Sequence, residues 1–331
     1  MTSEVARLYE MFPFPAPEVG IPLIDVVANE MPFLLTDNCL DGWQVLDAGC
    51  GTGHILVALA LRYPNAHFIG LDVCQRSLDI ARRLAEHHGA GNVDFVQGDI
   101  PDLDLPNKFD LIICFGVMHH MPNPRAGLRW LSEHLADDGL LHLWLYNALG
   151  EHGRMLDREL VQLFTSVDEG KSALETVRAL GLTLSLAQYG FPAGWTGSGM
   201  STAEKDAFDA DAYLNPIVQP MRFTDVPALF EGVDIEWVAA DRVYFDGGIK
   251  FVDLGGTENG SALCVCAEEL FADIGLRQRV RSLDNLSRMQ AIELRLRPTG
   301  FRLLAGRGDG LARCVRRIKH NLLIAGRVSI S

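Results

Sequence analysis

No run of apolar residues in this chain of 331 approaches the length of a membrane span. Residues 1–7 lack the basic start and apolar middle of a secretory signal. The seven cysteines, at 39, 50, 74, 114, 264, 266 and 314, contain no C-x-x-C pair. Several fall inside strand-like runs, so they are expected to be reduced, buried thiols of a cytoplasmic protein. Cys264 and Cys266 have no His or Cys neighbour in sequence, which favours core packing over a metal site. There is no internal repeat and no low-complexity tract. Basic residues are scarce until late. The net charge is −14, yet from Arg277 onward 13 Lys+Arg stand against 3 Asp+Glu. An acidic body is a poor general ligand for nucleic acid, and none is expected as a partner.

A third glycine is also missing where a dinucleotide site would want one. Residues 45–53 read VLDAGCGTG, with glycines at 49, 51 and 53, and position 54 is His. A strand, a glycine turn and a helix pattern from His54 make a nucleotide-binding turn, because glycine permits positive φ and close backbone approach. His54 argues against NAD or FAD. Asp47 before the turn would attract an ammonium group and repel a pyrophosphate.

From residue 43 short apolar strands alternate with helical patterns. The strands predicted are 44–47, 67–72, 93–97, 109–115 and 140–145, and the helices 54–63, 76–88 and 125–135, with a later helix near 280–294. That rhythm specifies an α/β fold, a doubly wound, Rossmann-like, mostly parallel sheet. The ends of its strands are chemically marked. Strand 2 ends at Asp72, placed to accept both ribose hydroxyls, and strand 3 is followed by Asp99 and Ile100, a carboxylate and an apolar residue for an adenine. Strand 4 runs into Phe115, then Gly116 through Pro122 with His119 and His120.

With these four motifs in this order, residues 43–145 resemble a class I S-adenosylmethionine-dependent methyltransferase. The opening segment Leu8–Pro15 (LYEMFPFP), with 211–216 (DAYLNP) and 223–230 (FTDVPALF), resembles a bacterial subset of that family. The resemblance implies that Asp47 and Gly49 hold the cofactor's amino group and that Gly51 allows close approach. It further implies that Asp72 binds the ribose, that Asp99 and Ile100 frame the adenine, and that the Phe115 backbone meets the methionine moiety, with Cys50, Gly53 and Val73 also among the cofactor-binding residues. It implies no metal. It also implies an antiparallel strand at 301–305 beside one at 235–239.

Methyl transfer from a sulfonium needs alignment, exclusion of water and, for some acceptors, removal of a proton. His119, His120 and Tyr146 are the candidate catalytic residues. A His that packs, caps the next helix or lines the cofactor pocket is the competing reading. Tyr9 either closes over the cofactor or is a core aromatic of the first helix. Trp195 either stacks on a substrate or pins its loop. Cys114 lacks the Pro-Cys context of a cysteine nucleophile and reads as a buried thiol.

The expected organisation is an N-terminal cap (1–40), a cofactor-binding core (41–149), a substrate lid insertion (150–222), the remainder of the core with two strands and an insertion (223–306), and a basic C-terminal helix (307–331). That helix is expected to dock on the acidic body or on an anionic surface. The expected function is methylation of a small metabolite at O, N or C. The alternatives are a protein or peptide acceptor and a non-catalytic binding protein of the same fold.

Overall fold

The computed structural model describes residues 3–25, 27–29, 31, 39–184, 200–245, 248–252, 265 and 267–328. An eight-stranded sheet runs in the order β3-β2-β1-β4-β5-β8-β6-β7. Its strands are β1 (Gln44–Ala48), β2 (His67–Asp72), β3 (Val93–Gln97), β4 (Phe109–Phe115), β5 (Leu135–Tyr146), β6 (Glu236–Phe245), β7 (Gly248–Phe251) and β8 (Gly300–Gly306). The first five are parallel, and β8 runs antiparallel between β5 and β6. The doubly wound, mostly parallel class is therefore correct.

Both faces of the sheet are covered, which is why its strands read as continuous apolar runs rather than alternating ones. In β8 all seven residues are buried. Helices α2 (His54–Arg62), α3 (Gln75–His88) and α4 (Pro124–Glu133) follow β1, β2 and β4. Their ends carry local signals. The Asn123 side chain accepts from the Ala126 amide with Pro124 in the first turn, and Gly89 closes α3 in the left-handed region.

Two departures from the sequence reading have local causes. Strand β5 begins at Leu135, five residues before the run 140–145, because its pairing with β4 shifts register between Phe109 and Leu111. The helix expected near 280–294 is two helices, α10 (Ile274–Ser282) and α11 (Asn285–Leu296). Asp284 breaks them apart by accepting from the Ser287 amide as the cap of α11. The strands expected at 235–239 and 301–305 are β6 and β8. The edge hairpin strand β7 gave no readable sequence signal.

Helices α1 (Ser3–Met11), α5 (His152–Gln162), α6 (Lys171–Ala179) and α7 (Thr202–Leu214) share a second apolar cluster. It contains Leu8, Phe12, Val161, Leu174, Val177 and Leu214. The beginning of the chain and the stretch after β5 thus pack as one helical layer. Most of the glycine-rich loop expected as part of a lid, with Trp195, and the residues Cys264 and Cys266 lie outside the described residues.

Two short helices complete the elements, α8 (Val226–Phe230) and α9 (Ala267–Leu270), and the chain ends in α12 (Gly308–Val328). Leu311, Cys314 and Ile318 of α12 are buried, and Arg313 reaches Asp138 at 3.4 Å.

One buried carboxylate ties the later insertion to the sheet. Glu293, on α11, is fully buried and accepts from Asn147 Nδ2 at 2.8 Å, the Phe223 amide at 2.9 Å and Arg222 Nε at 2.7 Å. Asn147 directly follows β5. Glu293→Ala leaves these donors without their acceptor in a dry site. The expected loss is about 3–5 kcal/mol of stability in urea unfolding. A loss below about 1 kcal/mol would show that the contact does not hold the insertion.

Candidate functional site

The strand order reverses between β1 and β4, and the carboxyl ends of these strands open the crevice where doubly wound sheets bind ligands. Asp47 of β1 sits there, 4% exposed, and its carboxylate accepts no hydrogen bond among the described residues. Burial, and then the neighbouring Asp72, push its carboxyl up to about 7. The turn that follows carries φ of 88° at Gly49, 53° at Gly51 and 76° at Gly53, all in the left-handed region.

Each of these glycines is also packed against a different part of the chain. A Cβ at Gly49 would collide with Val117, one at Gly51 with the Phe14 carbonyl, and one at Gly53 with Ala81 at 2.8 Å. The close approach expected of Gly51 is therefore made by the N-terminal segment. The Thr52 amide donates to that same Phe14 carbonyl at 3.0 Å. His54 opens α2, fully buried, with Nδ1 3.0 Å from Thr52 Oγ1, and burial lowers its pKa to about 4. It is a neutral packing residue in the place of a third glycine.

Asp72 ends β2. Its Oδ2 accepts from the Gly51 amide at 2.8 Å and its Oδ1 from the Cys74 amide at 2.9 Å. The carboxylate is thereby aimed across the glycine turn, although burial raises its pKa. Val73 follows it and accepts through its carbonyl from Gln97. Ile100, just past β3 and beside Asp99, is buried.

A cavity of about 250 Å³ runs from this turn to the β5–β8 side of the sheet. Its near wall has Asp47, Gly49, Cys50, Gly51 and Phe115, and its far wall Trp144, Tyr146, Phe208, Asp211 and Tyr244. Phe14 and Pro15 close one side. Of the predicted cofactor residues, Tyr9, Gly53, Asp72, Val73, Asp99 and Ile100 are not among the residues lining this cavity. Arg302, opposite Trp144 across β5 and β8, also lines it, with its guanidinium 4.6 Å from the centre of the Phe115 ring.

The predicted catalytic residues separate. Tyr146 lines the cavity, whereas His119 and His120 lie behind it. His119 stacks on Tyr146 with ring centres 3.9 Å apart and accepts from the Tyr146 amide at 3.4 Å. Burial holds the His119 pKa well below the usual range, so the ring is neutral. His120 Nδ1 donates to the Ile217 carbonyl at 2.7 Å. Burial likewise raises the Tyr146 hydroxyl, so it keeps its proton at neutral pH and acts as a donor.

Sequence reasoning missed Asp211 as a site residue. It lies in the last turn of α7 with Oδ1 accepting from Tyr9 at 2.7 Å and Oδ2 accepting from Tyr146 at 3.4 Å. Tyr9 is thus tied from α1 to the carboxylate on the far wall of the cavity. Two arginines on α5 fix that turn. Arg154 and Arg158 donate to the Ala212 carbonyl at 2.8 and 2.9 Å, and Arg158 also donates to Asn215. They satisfy the carbonyls that a helix end leaves unpaired. The available signal was the segment 211–216, an acid and an amide four residues apart closing a helix. Among the described residues, no group of three His, Cys, Asp or Glu is placed to hold a metal ion.

A Rossmann-like sheet with its acid and glycine turn at the switch point defines a class of nucleotide-cofactor proteins. The family described as a methyltransferase domain matches residues 40–180 of this chain. The matched stretch carries β1 to β5. The chain is similar to a probable (S)-tetrahydroprotoberberine N-methyltransferase 2 of Papaver bracteatum, 35% identical over 30% of this chain and 28% of that protein. It is similar to the ubiquinone biosynthesis O-methyltransferase of Leptothrix cholodnii, 30% identical over 33% of this chain and 46% of that protein. The chain thus spans less than half the length of these relatives. Among solved structures, PKMT2 of Rickettsia typhi in complex with AdoHcy superposes with a TM-score of 0.53 at 16% identity. It covers 92% of this chain and 52% of that one. This likeness extends the shared fold over nearly the whole molecule.

The raised pKa of Asp47 makes a stability statement. In protein freed of ligand, the folded state keeps this proton up to about pH 7 while the unfolded chain releases it near 3.8. Stability from this group therefore falls as pH rises between those values. Asp47→Asn is expected to gain stability over the wild type progressively between about pH 4 and 7 and to level off above, by up to about 4 kcal/mol in total in thermal unfolding. A difference independent of pH would contradict the buried, unpaired carboxylate.

Proposed function

We propose that the chain is an S-adenosylmethionine-dependent methyltransferase acting on a small molecule. The observation that carries the reading is Asp47: a buried carboxylate without a protein partner among the described residues, facing a cavity beside a left-handed glycine turn. That arrangement fits the cofactor. Asp47 would take its ammonium group, the Asp72 carboxylate its ribose hydroxyls, and Asp99 with Ile100 its adenine. The bound cofactor supplies an activated methyl on a sulfonium. The Phe115–Gly116 backbone and the Trp144 and Tyr146 side chains line the cavity beyond the glycine turn, where an acceptor would be shielded from water.

His119 serves this site as a positioning residue through its ring contact with Tyr146, and His120 approaches Asp211. The small-molecule acceptor is supported by the aromatic wall and by the N- and O-methyltransferases named among the relatives of residues 40–180. The segment Leu8–Pro15 supports membership of the bacterial subset, since Tyr9 and Phe14 are both built into the site. The buried apolar face of α12 and the Arg313–Asp138 pair support docking of the basic C-terminal helix on the body.

Isothermal titration tests the cofactor directly. The wild type is expected to bind S-adenosylmethionine and not NADH. Asp72→Ala is expected to weaken binding roughly 10- to 100-fold through loss of hydrogen bonds to a carboxylate. Absence of binding by the folded wild type would overturn the reading. Transfer of labelled methyl from cell extract is expected in the low-mass fraction, and label confined to protein would overturn the small-molecule acceptor.

A further inference from the structure

The far wall of the cavity contains a carboxylate that the cofactor does not explain. Asp211 is 6% exposed and lines the cavity with Trp144, Tyr146, Phe208 and Tyr244. Its hydrogen-bond donors are neutral: the Tyr9 hydroxyl at 2.7 Å, the Asn215 amide at 3.4 Å and the Tyr146 hydroxyl at 3.4 Å. No Lys or Arg forms an ion pair with it among the described residues. The nearby Arg154 and Arg158 instead donate to Ala212 and Asn215, and Arg154 also pairs with Glu151. Buried carboxylates are ordinarily paired with a cation.

His120 completes the arrangement. Its Nδ1 donates to the Ile217 carbonyl, which fixes the tautomer and leaves Nε2 as an acceptor. That Nε2 lies 3.7 Å from Asp211 Oδ1. Two proton acceptors therefore face each other, with one of them opening onto the cavity. With Asp47 assigned to the cofactor's ammonium, the charged residues left on the cavity wall are two acids, Asp25 and Asp211, and one base, Arg302, whose guanidinium lies over Phe115 and Tyr244. The field favours a cation, and the aromatic wall lowers the dielectric in which Asp211 acts.

Resting on the methyltransferase reading, we propose that the methyl acceptor is an amine, received as an ammonium ion by Asp211, and that the Asp211–His120 pair takes its proton. The ammonium N–H bond breaks and its proton passes to the Asp211 carboxylate or on to His120 Nε2. The freed nitrogen lone pair then bonds to the methyl carbon. The methyl–sulfur bond breaks with its electrons going to sulfur. The products are a methylated ammonium and a neutral thioether. Asp211 is a catalytic residue in this account, and Tyr9, Asn215 and Tyr146 hold it in place.

The test uses three probes of similar size: 2-phenylethylamine, 2-phenylethanol and 3-phenylpropionate. Binding to the full chain is measured with and without saturating S-adenosylhomocysteine. The amine is expected to bind at least tenfold more tightly than the alcohol or the acid. Asp211→Asn, checked for folding by circular dichroism, is expected to remove that preference and leave S-adenosylhomocysteine affinity within about threefold. The proposal is overturned if the wild type prefers the carboxylate, shows no preference or binds none of the probes. It is likewise overturned if folded Asp211→Asn keeps the preference. Amine binding that depends on Asp211, without any S-adenosylhomocysteine binding, would instead sink the cofactor reading and leave the amine site standing.

Discussion

Three left-handed glycines, alternating at 49, 51 and 53 after β1, set the constraint on which the site depends. No residue with a Cβ adopts that run of positive φ cheaply, and each glycine also gives up the space of its side chain to a different neighbour. Gly49 admits Val117 from the loop after β4, Gly51 admits the Phe14 carbonyl from the N-terminal segment, and Gly53 admits Ala81 from α3. The turn is thus where the sheet, the cap and the helical layer behind the sheet meet. Asp47 sits at its start and Asp72 is bonded to its middle through the Gly51 amide. A change in this turn would move Asp47, Asp72 and the N-terminal segment together.

The helical layer is coupled to the same place from the opposite side. Its apolar cluster joins α1 to α5, α6 and α7, and its polar side projects Asp211 into the cavity. Arg154 and Arg158 fix the end of α7, while Tyr9 reaches from α1 to the carboxylate that end presents. The segment after α7 is bound back onto the core. The Gln219 amide donates to the His119 carbonyl at 2.8 Å and the Met221 amide to the Tyr146 carbonyl at 2.9 Å. Chemistry in the cavity therefore draws on a core that the sequence marks clearly and a cap that it marks faintly.

That difference has a physical basis. The parallel sheet was legible because strands buried on both faces leave uninterrupted apolar runs, and because turn residues stand at fixed offsets from them. Asp47, Asp72 and the glycines were legible for the same reason, since local backbone geometry demands those residue types. His119 and His120 drew attention as titratable neighbours, but a sequence does not show that neither lines the cavity, His119 stacking on Tyr146 and His120 facing Asp211. Asp211 was invisible as a site residue because its role is made by contacts 202 and 65 residues away, from Tyr9 and Tyr146. The register shift opening β5 and the hairpin of β7 were equally illegible, being consequences of pairing rather than of propensity.

The central claim is that Asp47, the glycine turn and the aromatic-walled cavity form one cofactor-and-acceptor site. A crystal structure of the full chain with S-adenosylhomocysteine tests it most directly. The account predicts the ligand's ammonium on Asp47, its ribose hydroxyls on Asp72, and its sulfur at Phe115–Gly116 facing Tyr146 and Asp211. A ligand bound elsewhere, or bound here with its sulfur turned away from Tyr146 and Asp211, would contradict it.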